Sequence, residues 1–366
     1  MKLELTLVAE GLGFPEGPVA TQDGTLYFVD IFHQTLMRLE DGSKPELVAG
    51  IRGGPNGLAI GPDGHAYVCN NGRVFDFKTV PPPPPANQPP RNRSDYLLIP
   101  NPICPGKHYG EHAKDPNGQP IAKGVDAAAG SIWKVNLKTG DAKEVHGPSK
   151  GDSLIAPDDI VFDAHGPEGS FWFTDCGYQN DKIVRKGGVY AGHVNGQPPV
   201  KVADIPSANG IGFSKDGKVL YVADTLFGRL WQLQIDSFRN PDGSIDRNAH
   251  TRRVVQDNPA WPFPGKTVMA LPGPYWLDSL KVEDSGRVCM GTLLRGGITV
   301  FNPDDGSVDF LPVGGMAPNM EPGDPFTSNL CFGGKDMKTV WITASATGRI
   351  YKGQWPRAGL KLAYND

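Results

Sequence analysis

The chain has 366 residues, a formal net charge of −4 and no basic block, which argues against a nucleic-acid phosphate backbone as partner. It holds no run of about 18 apolar residues, so no transmembrane helix is expected and no membrane partner. Its 47 glycines and 35 prolines suit many short strands joined by tight turns, and its five scattered cysteines (Cys69, Cys104, Cys176, Cys289, Cys331) form no C-x-x-C pair and point to a reduced, cytoplasmic setting.

The first residues, Met1 to Leu7, alternate polar and apolar and read as a strand rather than a signal peptide. A repeat then begins: a polar residue, a short apolar strand, a Gly- or Asp-containing turn and a second apolar strand. The first copy runs from Glu16 through Asp23-Gly24 to Leu26–Asp30, the second from Asn56 through Asp63-Gly64 to Ala66–Asn70. The third runs from Asp158 to Phe171–Asp175 and the fourth from Asn209 through Asp216-Gly217 to Val219–Asp224. The fifth starts at Asp278 and the sixth at Asn329, each followed by a turn and a second strand. Each copy is a β-hairpin by its turn chemistry, and further strands such as Ser131–Val135 follow several of them. Six copies of three or four strands predict an all-β fold, a six-bladed β-propeller, in one domain spanning residues 1–366.

The leading residues stand at 16, 56, 158, 209, 278 and 329, and the long step follows the second copy. It holds Pro81 to Pro85 and a polar stretch to about Gly130. This proline-rich insertion, about 77–130, is expected between blades two and three. A run of five prolines cannot join a ladder and suits polyproline II. Whether the insertion covers the site or is a plain exposed loop stays open.

All six leading residues (Glu16, Asn56, Asp158, Asn209, Asp278, Asn329) carry side-chain oxygen. Each begins what should be the innermost strand of a blade, so the six converge on one axis. Buried carboxylates and amides are costly unless compensated, and a cation compensates them. An oxygen set without His or Cys favours a hard divalent ion. A second column, Asp30, Asn70, Asp175 and Asp224, follows the second strands and is read as structural, closing turns through Asx hydrogen bonds.

Other chemistries find little support. No G-x-S-x-G or H-E-x-x-H motif occurs, and Gly11-Leu12-Gly13 has the wrong continuation for a dinucleotide loop. Cys104, His108 and His112 lie among glycines and Pro105 and are read as ordinary loop residues. Trp261-Pro262-Phe263-Pro264 and Tyr275-Trp276 either pack between blades or place aromatic surface at the channel mouth, where they would favour a substrate less polar than a sugar lactone.

The segments Phe14-Pro15-Glu16-Gly17-Pro18, Ser207-Ala208-Asn209-Gly210-Ile211-Gly212-Phe213-Ser214, Trp276-Leu277-Asp278 and Cys331-Phe332-Gly333-Gly334 resemble the SMP-30/gluconolactonase family of six-bladed propellers. The resemblance implies one divalent metal ion, Ca²⁺ first, with Mg²⁺, Mn²⁺ or Zn²⁺ as alternatives. It places metal-binding roles on Glu16, Asn209 and Asp278. Asp158 stands where the family motif has Asn, and joins the expected metal set. The resemblance implies hydrolysis of a small-molecule lactone, with Asp278 as catalytic carboxylate and Asp158 as the alternative. Asn56, Asn329, Tyr275 and Trp276 are expected to line the substrate site. Hydrolysis of organophosphate triesters on the same metal, and a non-enzymatic binding platform with a structural cation, are the alternative readings. The pattern specifies no oligomeric state.

Overall fold

The structure is a computed structural model that describes residues 3–72, 74–81, 89, 92–102, 130–179, 184–185, 187–248, 266–271, 275–314 and 323–365. Six four-stranded antiparallel sheets dominate it. Their innermost strands are Pro15–Ala20, Pro55–Ile60, Pro157–Phe162, Ala208–Phe213, Trp276–Val282 and Thr327–Gly333, in blades one to six. Each innermost strand touches the next around the ring, and blade six closes on blade one. The outermost strand of blade six is the N-terminal Leu5–Ala9, paired with Arg349–Gln354, so the two ends of the chain lock the ring. Among the described residues no helix is long and apolar enough to cross a membrane.

The core is divided into layers between blades. Val19, Val29 and Leu36 of blade one pack on Leu58, Ile60 and Val68 of blade two. Ala20, Leu26 and Phe28, from the same strands of blade one, pack on Cys331, Trp341 and Ile350 of blade six. A strand whose two faces enter two layers is apolar on both, which explains why the copies read as continuous apolar runs rather than strict alternations. The outer strands are exposed along much of their length, as in Glu46–Gly50.

Two features position the channel ends. The insertion interrupts blade two itself. The strands Ser131–Val135 and Ala142–His146 pair within the sheet of Pro55–Ile60 and Ala66–Asn70, so the inserted residues join the second and third strands of that blade. The expectation of an insertion between blades two and three is corrected accordingly. Its described part forms a hairpin, Phe75–Val80 against Leu97–Pro102. Arg93 donates from Nη2 to the carbonyls of Gly13 (2.7 Å) and Ala346 (2.9 Å), and the Leu98 amide donates to Ala346. These anchors lie on the end where the innermost strands begin. Pro82 to Pro85, and with them most of the expected polyproline run, lie outside the described residues, as do Cys104, His108, His112 and Trp261 to Pro264.

At the opposite end the turns are short, and the C-terminal segment crosses the channel floor. The Leu360 amide donates to Val282, the Asp284 amide to Ala358, and Tyr364 stacks edge-on against Phe162. Buried Glu283 anchors this segment, accepting from Trp355 Nε1 (2.7 Å), from Arg357 Nε (2.5 Å) and Nη2 (2.8 Å), and from Ser285 Oγ.

Candidate metal and catalytic centre

Each innermost strand carries a register shift near its start. The shifts fall between Glu16 and Val19, Pro55 and Leu58, Pro157 and Ile160, Ala208 and Ile211, Leu277 and Leu280, and Thr327 and Asn329. A bulge leaves one residue unpaired and re-aims its side chain. Counting one residue on from the partners of Asp30, Asn70, Asp175, Asp224, Thr292 and Ala344, the equivalent positions are Glu16, Asn56, Asp158, Asn209, Asp278 and Ser328. Five of the six residues expected from the sequence therefore share one register. Asn329 lies one step further along; its equivalents are Gly17, Gly57, Asp159, Gly210 and Ser279. Small residues suit that step because the neighbouring strand is close. A Cβ on Gly17 would sit 2.3 Å from the Asn56 carbonyl oxygen, and one on Gly57 2.4 Å from that of Asp158.

Asn329 nonetheless reaches the site. Its Nδ2 donates to Glu16 Oε2 at 2.8 Å, and the same oxygen accepts the Gly17 amide. Asn209 hydrogen-bonds to Asp278, and Ser279 Oγ approaches Asn209 Oδ1 at 3.5 Å. Glu16, Asn56, Asp158 and Asn209 are buried. Asp278 is half-buried as a residue, yet its carboxyl lies deep among protein atoms. Asp158 Oδ1 is buried without a hydrogen-bond partner, and the Cys176 thiol hydrogen-bonds to the same carboxylate.

These carboxylates feel one another. Burial, then the charges of Glu16 and Asp159, pushes Asp158 well above the usual carboxylate range. Burial, then Glu16 and Asp158, does the same to Asp278. Burial also raises Glu16, against hydrogen bonds from Ser328, Asn329 and the Gly17 amide. Among the described residues Lys281 brings an opposing charge to this group, its Nζ 3.4 Å from Asp159 Oδ2. Among the described residues no group of three or more His, Cys, Asp or Glu side chains is drawn together tightly enough to hold a metal ion by itself. The donor set at the mouth is instead mixed, carboxylates with the Asn209 amide. Its all-oxygen chemistry and the orphaned Asp158 Oδ1 fit a hard divalent cation.

The Asx column closes turns, and it also holds the backbone that leads into each bulge. Asp30 accepts the amides of Gly13 (2.7 Å), Phe14 (2.9 Å) and His33 (3.1 Å). Asn70 accepts those of Gly54 and Gly72. Asp175 accepts those of Ile155, Ala156 and Gly177. In blade four burial raises Asp224 to about 6, against hydrogen bonds that include the Ser207 amide. Asp324 takes this part in blade six, accepting from Phe326 and Thr347. The channel side chains are thus fixed by a second ring of acceptors behind them.

Trp276 is half-buried in an apolar cluster with Phe14, Leu293 and Phe326. Tyr275 is half-buried, with the Arg295 guanidinium 5.9 Å from its ring centre. Sequence reasoning missed Ser328, Asp159, Lys281 and Cys176. The visible signal for Ser328 was the residue before each leader, Pro15, Pro55 and Pro157, which aligns with Thr327.

The SMP-30/Gluconolactonase/LRE-like region, as a sequence family, matches residues 14–346. The gluconolactonase of Zymomonas mobilis is 26% identical over 230 residues, 60% of this chain and 57% of that protein. Lactonase drp35 of Staphylococcus epidermidis is 24% identical over 239 residues, 63% of this chain and 52% of that one. The chain thus spans little more than half the length of these curated relatives. Among solved structures, the calcium-binding protein regucalcin from Agrobacterium tumefaciens superposes with a TM-score of 0.59 at 15% identity, covering 98% of each chain, a likeness of fold.

Proposed function

The chain belongs to the SMP-30/gluconolactonase/LRE-like family, and from that premise we propose that it is a divalent-metal-dependent hydrolase that opens lactones at the channel mouth. One observation carries the reading: three mutually repelling carboxylates, sunk among protein atoms, and two amides share a bulge register around one axis, with an oxygen of Asp158 left unpartnered. Such a set is costly without a cation. Glu16, Asp158, Asn209 and Asp278 would hold the ion. The named lactonases among the relatives support a lactone rather than a phosphotriester substrate. Ca²⁺ is the proposed ion, on the oxygen-only donors and the calcium-binding relative of the same fold.

A bound divalent ion would supply Lewis-acid polarisation of an ester carbonyl. The protein's own groups supply the rest. Asp278, at the open end, accepts the proton of the attacking water. Its hydrogen bond from Asn209 fixes its orientation. Asn329 holds Glu16 through Oε2, and Asn56 lines the opposite side of the ring. Asp158, Asp in place of the family Asn, adds negative charge that tightens cation binding.

The test is Asp278→Asn assayed on lactones alongside metal content. Loss of turnover by a factor on the order of 10² to 10⁴ with metal retained supports the reading. Full turnover in the variant would refute Asp278 as the proton acceptor, and no turnover in the wild type with metal bound would leave a propeller that binds partners around a structural cation.

A further inference from the structure

The bulge register orders more than the channel ring. The residues two steps before the bulged positions, in blades one to six, are Phe14, Gly54, Ala156, Ser207, Trp276 and Phe326. The mouth is therefore split into two arcs. Blades five, six and one carry aromatic rings, and blades two, three and four carry the smallest side chains.

The aromatic arc is continuous. Phe14 stands 6.0 Å from Phe326, ring centre to ring centre, and both share one apolar cluster with Trp276 and Leu293. The insertion hairpin completes it. Phe77 packs 5.2 Å from Phe14 and 5.5 Å from Phe32, and Leu98 is buried beneath them. Phe14 and Phe326 are spent on this packing, being 5% and 7% exposed. Trp276 and Phe77 keep free surface, being half-buried. Leu226, Phe227 and Leu294 are exposed in turns on the same end of blades four and five.

We infer that this arc is the specificity surface of the site: the ring of the substrate lies against Trp276 and Phe77, and the enzyme selects lactones bearing an aryl or alkyl body over polyhydroxylated ones. The inference rests on the lactonase reading and narrows its substrate class. A sugar lactone turned towards this wall would lose water from its hydroxyl groups and find few hydrogen-bonding partners in exchange. An apolar ring gains by leaving water, and aromatic contacts add to that gain. Trp276 lies two residues before Asp278 on one strand, so the wall and the proposed catalytic carboxylate are fixed to each other. The insertion hairpin is thereby given a purpose, which is to extend the wall.

The test compares kcat/KM for an aryl-fused six-membered lactone and a polyhydroxylated six-membered lactone in the wild type, Trp276→Ser, Phe77→Ser and Trp276→Phe, with the metal present. The wild type should prefer the aryl lactone by at least about tenfold. Either serine variant should lower that ratio about tenfold, mainly through KM, and Trp276→Phe should restore most of it. Preference for the polyhydroxylated lactone, or a ratio that neither serine variant moves, would overturn the inference. If neither lactone is hydrolysed, the lactonase reading fails separately. Calorimetry with the ring-opened aryl hydroxy acid then decides the wall: tighter binding to wild type than to Phe77→Ser supports it, and equal binding refutes it.

Discussion

The two ends of the central channel are built on opposite principles. At the floor, tight turns such as Thr21–Thr25 recur and a C-terminal segment is tied down by a fully paired buried acid, Glu283. At the mouth, buried acids face one another with amides and the lysine Lys281 beside them, and an oxygen of Asp158 has no partner. Polar groups at the floor are satisfied and stabilise the ring. Polar groups at the mouth are left in deficit, which costs stability and creates a place for a cation. The difference teaches where to look for chemistry in a nearly symmetric ring: where the compensation is incomplete.

If this contrast is right, substitutions at the two ends should separate activity from stability. The largest effect is expected from Glu16→Gln. Metal affinity should fall on the order of 100-fold or more, and turnover with it, while the thermal midpoint of the metal-free protein stays level or rises because a repelling charge has gone. Calorimetric metal titration and a melting curve read both. Glu283→Ala should do the reverse. It leaves Arg357 and Trp355 without their acceptor and should cost about 3 kcal/mol, seen as a lower urea midpoint, with kcat/KM within about twofold of wild type.

Asp30 sharpens the contrast from behind the mouth. Burial alone would raise its carboxyl, but the charge and hydrogen bond of His33 and the amides of Phe14 and Gly13 outweigh it and hold the group at about 2, below the ordinary 3.8. A depressed carboxylate stabilises the folded state above its ordinary pKa, and that contribution is lost as pH falls from about 4 towards 2. It amounts to about 2 kcal/mol. Urea midpoints followed from pH 5 to pH 2 should fall more steeply in the wild type than in Asp30→Asn. The smallest effect is expected from Asn329→Ala, which leaves Glu16 Oε2 with the Gly17 amide: a stability loss of about 1 kcal/mol with metal weakened severalfold.

The floor was the more legible end. Turn pairs such as Asp23-Gly24 and Asp216-Gly217, flanked by apolar strands, name their hairpins directly, and six of them name the ring. The mouth was legible in its residue types but not in its register. Ser328 and Asn329 are adjacent polar residues, and only the pairing of Thr327 with Ala344 shows that serine takes the bulged place. The insertion was assigned to a blade junction because the outer strands, half exposed, carry too weak a pattern to show which hairpin they join. Ala142–His146 is such a strand. The Asx column looked like turn chemistry alone, since its bonds to Gly13, Gly54 and Ile155 span 16 to 20 residues.

The central claim is that the deficit at the mouth is filled by a metal that makes the site a lactonase. Its most direct test is lactone turnover by the purified wild-type protein before chelation, after chelation and after Ca²⁺ is restored, with metal content measured at each step. The account predicts about one ion per chain, activity that disappears with the ion and activity that returns with it. Lactone turnover that persists at full rate in metal-free protein would contradict it.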